Sequence, residues 1–589
     1  MPSYVRDGAT RFSRVGAICF ALLCATAAAA TLAQAGLNTG FDIWDGFAVA
    51  LIALTTAWLA WGAGQAFLGV PSFDPLPDMD LSNAAFPPTA ILVPICNENP
   101  TEVCARITAM RQSMQAAIVP VDFAILSDTF DPDALIAERA ALAPLFADDS
   151  ASNPVFYRNR TDRHGRKAGN VEDFIRKSGG AYEYVVILDA DSLMEGNTIR
   201  HLVARMEADT TLGLLQTLPN IFGAGSLFGR AMQFSASFHS PVFARGLARM
   251  QGRAGPFWGH NAIARVRALS QCCGLPELSG PAPFGGTILS HDYVEAALLV
   301  RGGWRVEMDP RITGSFEEGP DNLLAFARRD RRWCQGNLQH MRLVGAPGLH
   351  GWSRFVFVQG IMAYLVSVAW GAFLIVSLLA AATNASPDYF PNAYQLFPVF
   401  PDDKTFQIVA LAFGIGVLLL LPKLAIFGEA AATGRARGFG GALRALGSVL
   451  AEILLTALIA PIMLMYQSRA VAEVFAGKDG GWPATARGEG RLTLTESWRA
   501  SRWVSLFGIV VTIAVYLLVP NLIYWLLPVT LPMSIAPLLI AVTSHPSNGR
   551  VFTTPQERVT PAVIAAYREN LRTGTAQQGS SHDPIVQPA

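Results

Sequence analysis

Charged residues are scarce in this chain. Only 15% of its 589 residues are Asp, Glu, Lys or Arg, whereas soluble domains average about 25%. The 45 basic residues balance the 45 acidic ones, so there is no basic excess of the kind that binds nucleic acid phosphates. The seven cysteines form no C-x-x-C pair, which argues against a disulfide scaffold and a cysteine-based zinc site. Apolar residues are abundant instead, at 51%.

Stretches without charge indicate where the chain crosses a membrane. A bilayer core is crossed by about 20 apolar residues, and five uncharged stretches reach or approach that length: 15–41, 46–73, 355–387, 405–422 and 503–549. The last is long enough for two spans that separate near Pro520. The region 75–350 lacks this pattern and holds most of the charge. The sequence therefore predicts one large water-facing domain between membrane blocks.

Arginines before the first span set the predicted orientation. Arg6, Arg11 and Arg14 precede it, and no Lys or Arg follows it directly. The positive-inside rule places the N-terminus in the cytoplasm, and two crossings return the chain there. A cleaved signal peptide over residues 1–35 is the alternative, but its apolar run exceeds the roughly 7–15 residues that are typical of such peptides.

The same reasoning divides the whole chain. The predicted parts are two spans (1–74), a cytoplasmic domain (75–350), two spans (351–426), cytoplasmic loops (427–502), two spans (503–549) and a cytoplasmic tail (550–589). Within the loops, the apolar segment 445–475 lies between two basic regions. It is therefore predicted to enter and leave the membrane on one side, as a re-entrant or hairpin segment around Pro461.

The central domain alternates between strand and helix patterns. Short β-branched runs at 90–95, 121–126 and 184–188 read as buried strands, and 100–115 and 169–178 read as helices. This alternation predicts an α/β domain with a parallel sheet, whose ligands bind at the carboxyl ends of the strands.

Polar residues follow each predicted strand. Glu98 follows the first strand, Asp128 the second, and Asp189 and Asp191 the third. Two carboxylates two residues apart at a strand end suit a divalent cation, which prefers hard oxygen ligands. A solvated turn is the alternative, and the apolar run directly before Asp189 disfavours it.

A basic segment at 160–170 runs into a predicted helix start. Lysine and arginine beside a helix N-terminus provide a phosphate-binding environment. An exposed basic loop explains the same residues equally well.

Seven motifs together resemble those of processive family 2 glycosyltransferases, which are membrane sugar polymerases related to cellulose and hyaluronan synthases. They are ICNE at 95–98, SD at 127–128, RKAGN at 166–170, DAD at 189–191, FWGHN at 257–261, HD at 291–292 and RRDRRW at 328–333. Longer stretches, among them RTDRHGRKAGNVEDFIR and RRDRRWCQGNLQH, resemble the glucosyltransferases of osmoregulated periplasmic glucans more closely still.

The resemblance implies both a fold and an activity. The fold is a GT-A-like nucleotide-sugar-binding domain inserted between transmembrane helix blocks. The activity is processive, inverting transfer of glucose from UDP-glucose to a β-glucan, with a β-1,2 backbone and export across the bacterial inner membrane. Arg329 stands where cellulose synthases have the Gln of Q-x-x-R-W, and His291 where they have the Glu of T-E-D. Both departures argue against a cellulose-like synthase.

Two other activities are alternatives to this reading. One is the transfer of a single sugar to a polyprenyl phosphate, which would not need the arginine–tryptophan motif or so many later spans. The other is a transporter or scaffold with a degenerate transferase domain, which the presence of all the expected acids disfavours.

The resemblance also implies roles for individual donor-site residues. Glu98 and Asp128 would face uridine, Lys167 would lie near the nucleotide, and Arg332 would contact the diphosphate. Asp189 and Asp191 would hold Mg2+ (or Mn2+) on that diphosphate. Asp292 would be the general base, and a helix N-cap is the alternative for it.

Aromatic residues would bind the acceptor. The implied acceptor site consists of Phe257, Trp258, Gly259, His260 and Trp333; core packing is the alternative for Phe257. Arg328, Arg329 and Arg331 are given no substrate role; they would contact lipid headgroups or support the fold. The Gly-rich loop 477–491, with Trp482, would close over the site, or is merely a connector. Implied partners are UDP-glucose, the growing glucan, membrane lipids, acyl carrier protein and a periplasmic glucan-biosynthesis protein, and no nucleic acid.

Overall fold

The computed structural model describes residues 7–37, 41–74, 76, 86–146, 153–383, 397, 405–480, 490–547, 549 and 551–580. In these ranges the helices are α1 Asp7–Leu37, α2 Ile43–Gly69, α3 Pro100–Ala116, α4 Pro132–Phe146, α5 Arg166–Ser178, α6 Gly196–Ala208, α7 Leu227–Phe238, α8 Ser240–Gln251, α9 Val266–Cys272, α10 His291–Arg301, α11 Leu323–Gln339, α12 Gly351–Thr383, α13 Thr405–Ala432, α14 Ala442–Phe475, α15 Leu494–Leu518, α16 Ile523–Ser534, α17 Ala536–Thr543, α18 Pro555–Arg558 and α19 Ala562–Ser580.

The central domain is built on a mixed seven-stranded sheet. The strands of the domain are β1 Thr89–Ile95, β2 Asp122–Ser127, β3 Val155–Asn159, β4 Tyr184–Ile187, β5 Leu193–Met194, β6 Leu212–Gln216, β7 Asn220–Phe222, β8 Ala262–Arg265, β9 Arg305–Met308 and β10 Ser315–Glu318. The large sheet has the order β3-β2-β1-β4-β8-β6-β9, and β5-β10-β7 form a small second sheet.

The sequence predicts the first half of this sheet closely. All three predicted strands exist within a residue or two, and β1 pairs in parallel with both β2 and β4. Fully buried residues such as Ile91 and Val186 explain their continuous apolar pattern. The short strand β8 is an addition, since it runs antiparallel between β4 and β6. The carboxyl ends of the parallel strands β1, β2 and β4 meet at one edge, where Glu98, Asp128 and Asp189 follow them.

Long apolar helices flank the domain. Within the described part of the chain, six helices are long and apolar enough to cross a membrane: α1, α2, α12, α13, α14 and α15. The helices that follow α15 form a broken seventh candidate, because the segment from Pro520 to Ser534 and α17 meet at a bend of 60°. These elements fit a membrane protein in which apolar helices precede and follow the central domain.

The helix α14 differs from the hairpin predicted for 445–475. It is one continuous helix with Pro461 inside it, so the hairpin prediction is wrong. Its start packs with Phe238 and its end packs with Cys334, and both of those residues belong to the central domain. The helix therefore contacts the central domain at both ends, and along its length it is apolar enough to cross a membrane.

A close backbone contact joins the membrane block to the domain. A Cβ added at Gly69 of α2 would lie 1.8 Å from the Val242 carbonyl oxygen, and one at Gly246 of α8 would lie 1.9 Å from the Gln65 carbonyl oxygen. Arg245 of α8 donates a hydrogen bond to the Gly69 carbonyl at 2.8 Å. We call this contact the glycine joint; only glycine permits it at both positions.

The C-terminal region docks on the domain. Phe552 is buried beside Phe234 of α7, at a ring distance of 5.7 Å. Val563, Ile564 and Tyr567 of α19 are buried in the main hydrophobic core of the domain. The predicted tail thus includes a helix that completes the core, a feature that its polar composition did not reveal.

Candidate functional site

The two strand-end acids lie beside the basic segment. Lys167, in the first turn of α5, hydrogen-bonds to Asp189 and donates to the Gly259 carbonyl at 2.7 Å. Burial raises the pKa of Asp189, but the charges of Lys167 and His260 outweigh it and hold this pKa below its ordinary value. The predicted loop is therefore folded inward, with its lysine at the acid pair rather than in solvent.

A histidine links this acid pair to a third carboxylate. The Nε2 atom of His260 lies 3.9 Å from Asp189 Oδ2 and 3.5 Å from Glu317 Oε2. Burial raises the pKa of Glu317, partly offset by the charges of His260 and Arg329. Glu317 was not singled out by sequence. Its position next to Glu318 in a short strand was the available signal, since adjacent strand residues face opposite sides.

Asp292 occupies the first turn of α10, where Ser290 is the N-cap residue. Burial raises the pKa of Asp292 above its ordinary value, and the charge of His291 only partly compensates. His291 itself contacts Glu295 at 3.2 Å. Burial lowers its pKa, but Glu295 outweighs this effect, so the pKa of His291 is raised. Ser290 rather than Asp292 is the N-cap residue of α10, and His291 contacts Glu295 of the same helix.

The helix α11 presents Arg329 and Trp333 on one face, four residues apart. The Arg329 guanidinium carbon lies 4.5 Å from the centre of the Trp333 ring. Both side chains line the cavity described below. Arg329, to which the sequence assigned only a lipid-headgroup or structural role, therefore borders the same space as Trp333. Arg332, the predicted diphosphate ligand, is not among the described cavity-lining residues.

Arg331 points to the other side of α11. It donates to Glu473 at 3.3 Å and to the Lys478 carbonyl at 2.9 Å. Gln335, one turn on, accepts a hydrogen bond from the Gly480 amide at 3.0 Å. These contacts fix the start of the predicted closing loop beside α11. Trp482 of that loop lies outside the described residues.

The remaining donor-side acids are held by local hydrogen bonds. Arg160 binds both carboxylate oxygens of Asp128, at 2.6 and 2.8 Å, and Asn170 adds a contact at 3.0 Å. Asp128 is only 7% exposed, so it orders the basic segment at this edge of the sheet. Glu98 accepts a hydrogen bond from the Cys96 amide in the loop after β1.

The segment at 257–261 divides between core and site. Phe257 is 1% exposed and belongs to a core cluster with Leu214 and Val306, so its predicted acceptor contact is wrong. Trp258 and His260 do face the cavity. Gly259 has a φ of +83°, which favours glycine there. The Gln216 side chain supports the segment by accepting from the Trp258 amide at 3.0 Å and donating to the His260 carbonyl at 3.0 Å.

One cavity joins the site to the membrane helices. It has a volume of about 740 Å³. At the domain end it is lined by Trp258, His260, Asp292, Glu317, Arg329 and Trp333. At the other end it reaches Trp58 and Gln65 of α2, and Gln359 and Tyr364 of α12. The predicted base and the apolar helices thus border the same space.

The acid pair fits a divalent cation in its donor chemistry. Asp189 and Asp191 offer carboxylate oxygens, which Mg2+ and Mn2+ prefer. Among the described residues, no group of three or more His, Cys, Asp or Glu side chains could hold a metal ion by itself. Asp189 and Asp191 would therefore supply only part of a coordination shell, of the kind that substrate phosphates complete.

Comparison with protein families points in the same direction. Residues 90–273 match the glycosyl transferase family 2 model, and residues 184–421 match the glycosyl transferase family group 2 model. The central domain has the GT-A-like fold that the motifs predicted, with apolar helices on both sides.

Characterised relatives share one name. The chain is 52% identical to glucans biosynthesis glucosyltransferase H of Cereibacter sphaeroides over 569 residues, which is 95% of each chain. The protein of that name from Xylella fastidiosa is 38% identical, over 90% of this chain and 86% of its own. A mannosyltransferase from Pyrobaculum calidifontis, solved with GDP-Man and Mn2+, is a more distant likeness: 17% identity, TM-score 0.45, 74% of this chain and 100% of its own.

Proposed function

Because the chain belongs to the glucans biosynthesis glucosyltransferase H family of glycosyltransferases, we propose that it is a processive, inverting enzyme that builds a β-glucan from UDP-glucose. Glucosyl transfer follows from the family. The donor, the repeated addition and the roles of the residues below are the proposal.

The donor diphosphate binds at the edge where β1, β2 and β4 end. Lys167 and Arg329 bring positive charge to this edge, and Asp128 holds the basic segment through Arg160. Glu98 lies at the same edge and faces the uridine. Arginine suits the oxygen-rich diphosphate because its planar group donates several hydrogen bonds. Arg332 stays a predicted second contact.

Asp189 and Asp191 are the residues that would hold Mg2+ or Mn2+. Such an ion, when bound, neutralises charge on the departing diphosphate. Lys167, which hydrogen-bonds to Asp189, adds positive charge at the same place.

Asp292 accepts the proton of the attacking hydroxyl. The acceptor oxygen forms a bond to the anomeric carbon as the bond from that carbon to UDP breaks, and the electron pair leaves with UDP. Attack from the face opposite UDP inverts the configuration, so an α-linked donor gives a β-linked product. A pKa raised by burial makes Asp292 a stronger base than an exposed carboxylate.

The proposal of repeated sugar addition rests on the cavity that the central domain shares with α2 and α12. Trp258 and Trp333 supply ring faces for the terminal sugars. From there the cavity continues to α2 and α12, so an elongated acceptor can lie in it with its older end among the membrane helices. A transferase that adds one sugar to a lipid carrier does not need this extension.

The location follows from the same proposal. The catalytic domain faces the cytoplasm, where UDP-glucose is made, and the helices lie in the inner membrane. The loop 477–491 closes over the site, since its first residues are fixed on α11 by Arg331 and Gln335. Acyl carrier protein and a periplasmic partner stay predictions of the resemblance, as does the β-1,2 linkage of osmoregulated periplasmic glucans.

The test is product analysis with the full chain reconstituted in lipid. Purified protein is given labelled UDP-glucose with Mg2+ or Mn2+, and the product is sized and subjected to linkage analysis. We expect a soluble β-linked glucan of many residues.

Other products separate the competing functions. A labelled lipid that carries one glucose would establish the single-addition enzyme instead. A β-1,4 polymer would establish a cellulose-like synthase. Unchanged transfer after chelation of all divalent ions would remove the metal site from the proposal.

A further inference from the structure

A buried arginine connects the C-terminal helix to the loop that carries the acid pair. Arg106 of α3 is 1% exposed. Its Nη1 atom donates to the carbonyl of Ala190 at 3.2 Å. Ala190 stands between Asp189 and Asp191, so this hydrogen bond acts on the backbone that sets the spacing of the two carboxylates.

The other end of the guanidinium meets the C-terminal helix. Its Nη2 atom donates to the Tyr567 hydroxyl at 3.0 Å, to Glu318 at 2.7 Å and to Glu102 at 3.2 Å. Tyr567 in turn donates to Glu318 at 3.3 Å. A buried charge is costly unless such partners surround it, and Tyr567 is the partner that α19 supplies.

The strand β10 adds a second connection to the site. Adjacent residues in a strand face opposite sides. Glu317 faces the cavity beside His260, while Glu318 faces Arg106. Arg106 and its partners Glu318 and Tyr567 therefore lie directly behind Glu317, which lines the cavity.

The tail is well placed to carry this role. Glu557 binds Arg230 of α7 at 2.5 Å, which fixes the chain before α19. Val563 and Ile564 are each 1% exposed. The helix is thus anchored just before Tyr567, and Asn570, beyond it, donates to Gln112 of α3 at 3.4 Å.

We propose that α19 is a positioning element of the active site, in which Tyr567 acts through Arg106 to fix the Ala190 carbonyl and with it the Asp189–Asp191 loop. The proposal rests on the function proposed above for these two acids. Arg106 and Tyr567 are positioning residues, since neither touches the reacting atoms.

The loop carries its own reporters of order. The Ser192 amide donates to the Asp189 carbonyl at 3.1 Å, and the Asp189 amide donates to the Ser192 hydroxyl at 3.0 Å. Their hydrogen exchange can be followed by mass spectrometry on the full chain in lipid nanodiscs. Opening of the loop raises the exchange rate of both amides.

Two variants of α19 separate positioning from packing. Tyr567→Phe keeps the ring and removes the hydroxyl, whereas Val563→Ala removes only packing from the same buried face. We expect Tyr567→Phe to speed exchange at residues 189–192 by about three- to tenfold, the scale of one lost hydrogen bond. Val563→Ala should mainly speed exchange within α19. Arg106→Lys, which keeps the charge but cannot reach every acceptor, should resemble Tyr567→Phe.

A second readout uses UDP without sugar, so that no turnover occurs. We expect Tyr567→Phe to weaken Mn2+-dependent UDP binding by about three- to tenfold, and Val563→Ala to leave it near the wild-type value. If the wild type binds UDP equally tightly with and without Mn2+, the proposed metal site is wrong. The hydrogen-exchange experiment still decides the positioning role in that case. Equal exchange at 189–192 in Tyr567→Phe and Val563→Ala would overturn the inference.

Discussion

Asp292 combines two features of a general base: it lines the cavity, and burial raises its pKa. A carboxyl group accepts a proton only when ionised, so the rate should fall as pH drops through this raised pKa. We expect that fall to occur above about pH 4, the ordinary value for Asp. Asp292→Asn should lower glucosyl transfer by about 100- to 10,000-fold.

The measurement is the rate of glucan formation from UDP-glucose across a pH series. UDP binding to Asp292→Asn serves as the control, because that variant keeps the shape of the site. A variant with undiminished transfer would show that another group takes the proton.

Glu317 offers a test of what sequence reasoning missed. Its carboxylate lies 3.5 Å from His260 and lines the acceptor end of the cavity. Glu317→Gln keeps the size and removes the charge, so we expect kcat to fall by about tenfold or more, the scale of a charged hydrogen bond. Steady-state kinetics checks this, with Glu172→Gln, an exposed change on α5, as the control. Equal kinetics for the two variants would contradict a role for Glu317.

Arg329 and Arg332 form a matched pair on α11. Arg329 reaches the cavity and its charge acts on Asp189, so Arg329→Gln should raise the KM for UDP-glucose by about tenfold. Arg332→Gln should raise it less. Initial rates at varied UDP-glucose measure both. The reverse order would return the diphosphate contact to Arg332, as the motif predicted.

At the scale of elements, the sequence predicted what local pattern controls. Continuous apolar runs predict buried strands such as β1 and β4, and Asp189 directly follows the apolar run of β4. The course of α14 was not predictable in this way. Its apolar length fits a hairpin or a single span, and only the three-dimensional structure shows one continuous helix.

Long-range partners explain the other misses. Phe257 and Trp258 are neighbours with similar sequence signals, yet one packs with Leu214 and the other faces the cavity. The direction of each ring depends on strands far away in the chain. The docking of α19 likewise depends on α3, more than 400 residues earlier in the sequence.

The loop 477–491 provides a prediction about a connecting element. Arg331 and Gln335 fix its first residues beside α11, the helix that also carries Arg329 and Trp333. We expect Trp482→Ala to lower the rate of glucan formation by about tenfold or more, since an open site admits water. Thermal unfolding should be unchanged. Full activity of the variant would indicate a simple connector.

At the scale of the whole molecule, the glycine joint predicts how tightly the two halves are coupled. A methyl group at Gly69 or Gly246 would overlap a backbone oxygen. We expect Gly246→Ala and Gly69→Ala each to destabilise the protein by about 1–3 kcal/mol, seen as a lower Tm in lipid. Gly62→Ala is the control, because the space around Gly62 of α2 is open. Equal Tm values for all three variants would show that the backbone at the glycine joint adjusts to an added methyl group without loss of stability.

The same joint bears on how a polymer could be moved. Two backbones in contact leave no gap for one part to slide or rock against the other by the length of a sugar. This contact therefore cannot act as a sliding element that pushes the polymer. For the proposed glucan, we expect α2 and α8 to keep their relative position as each sugar is added.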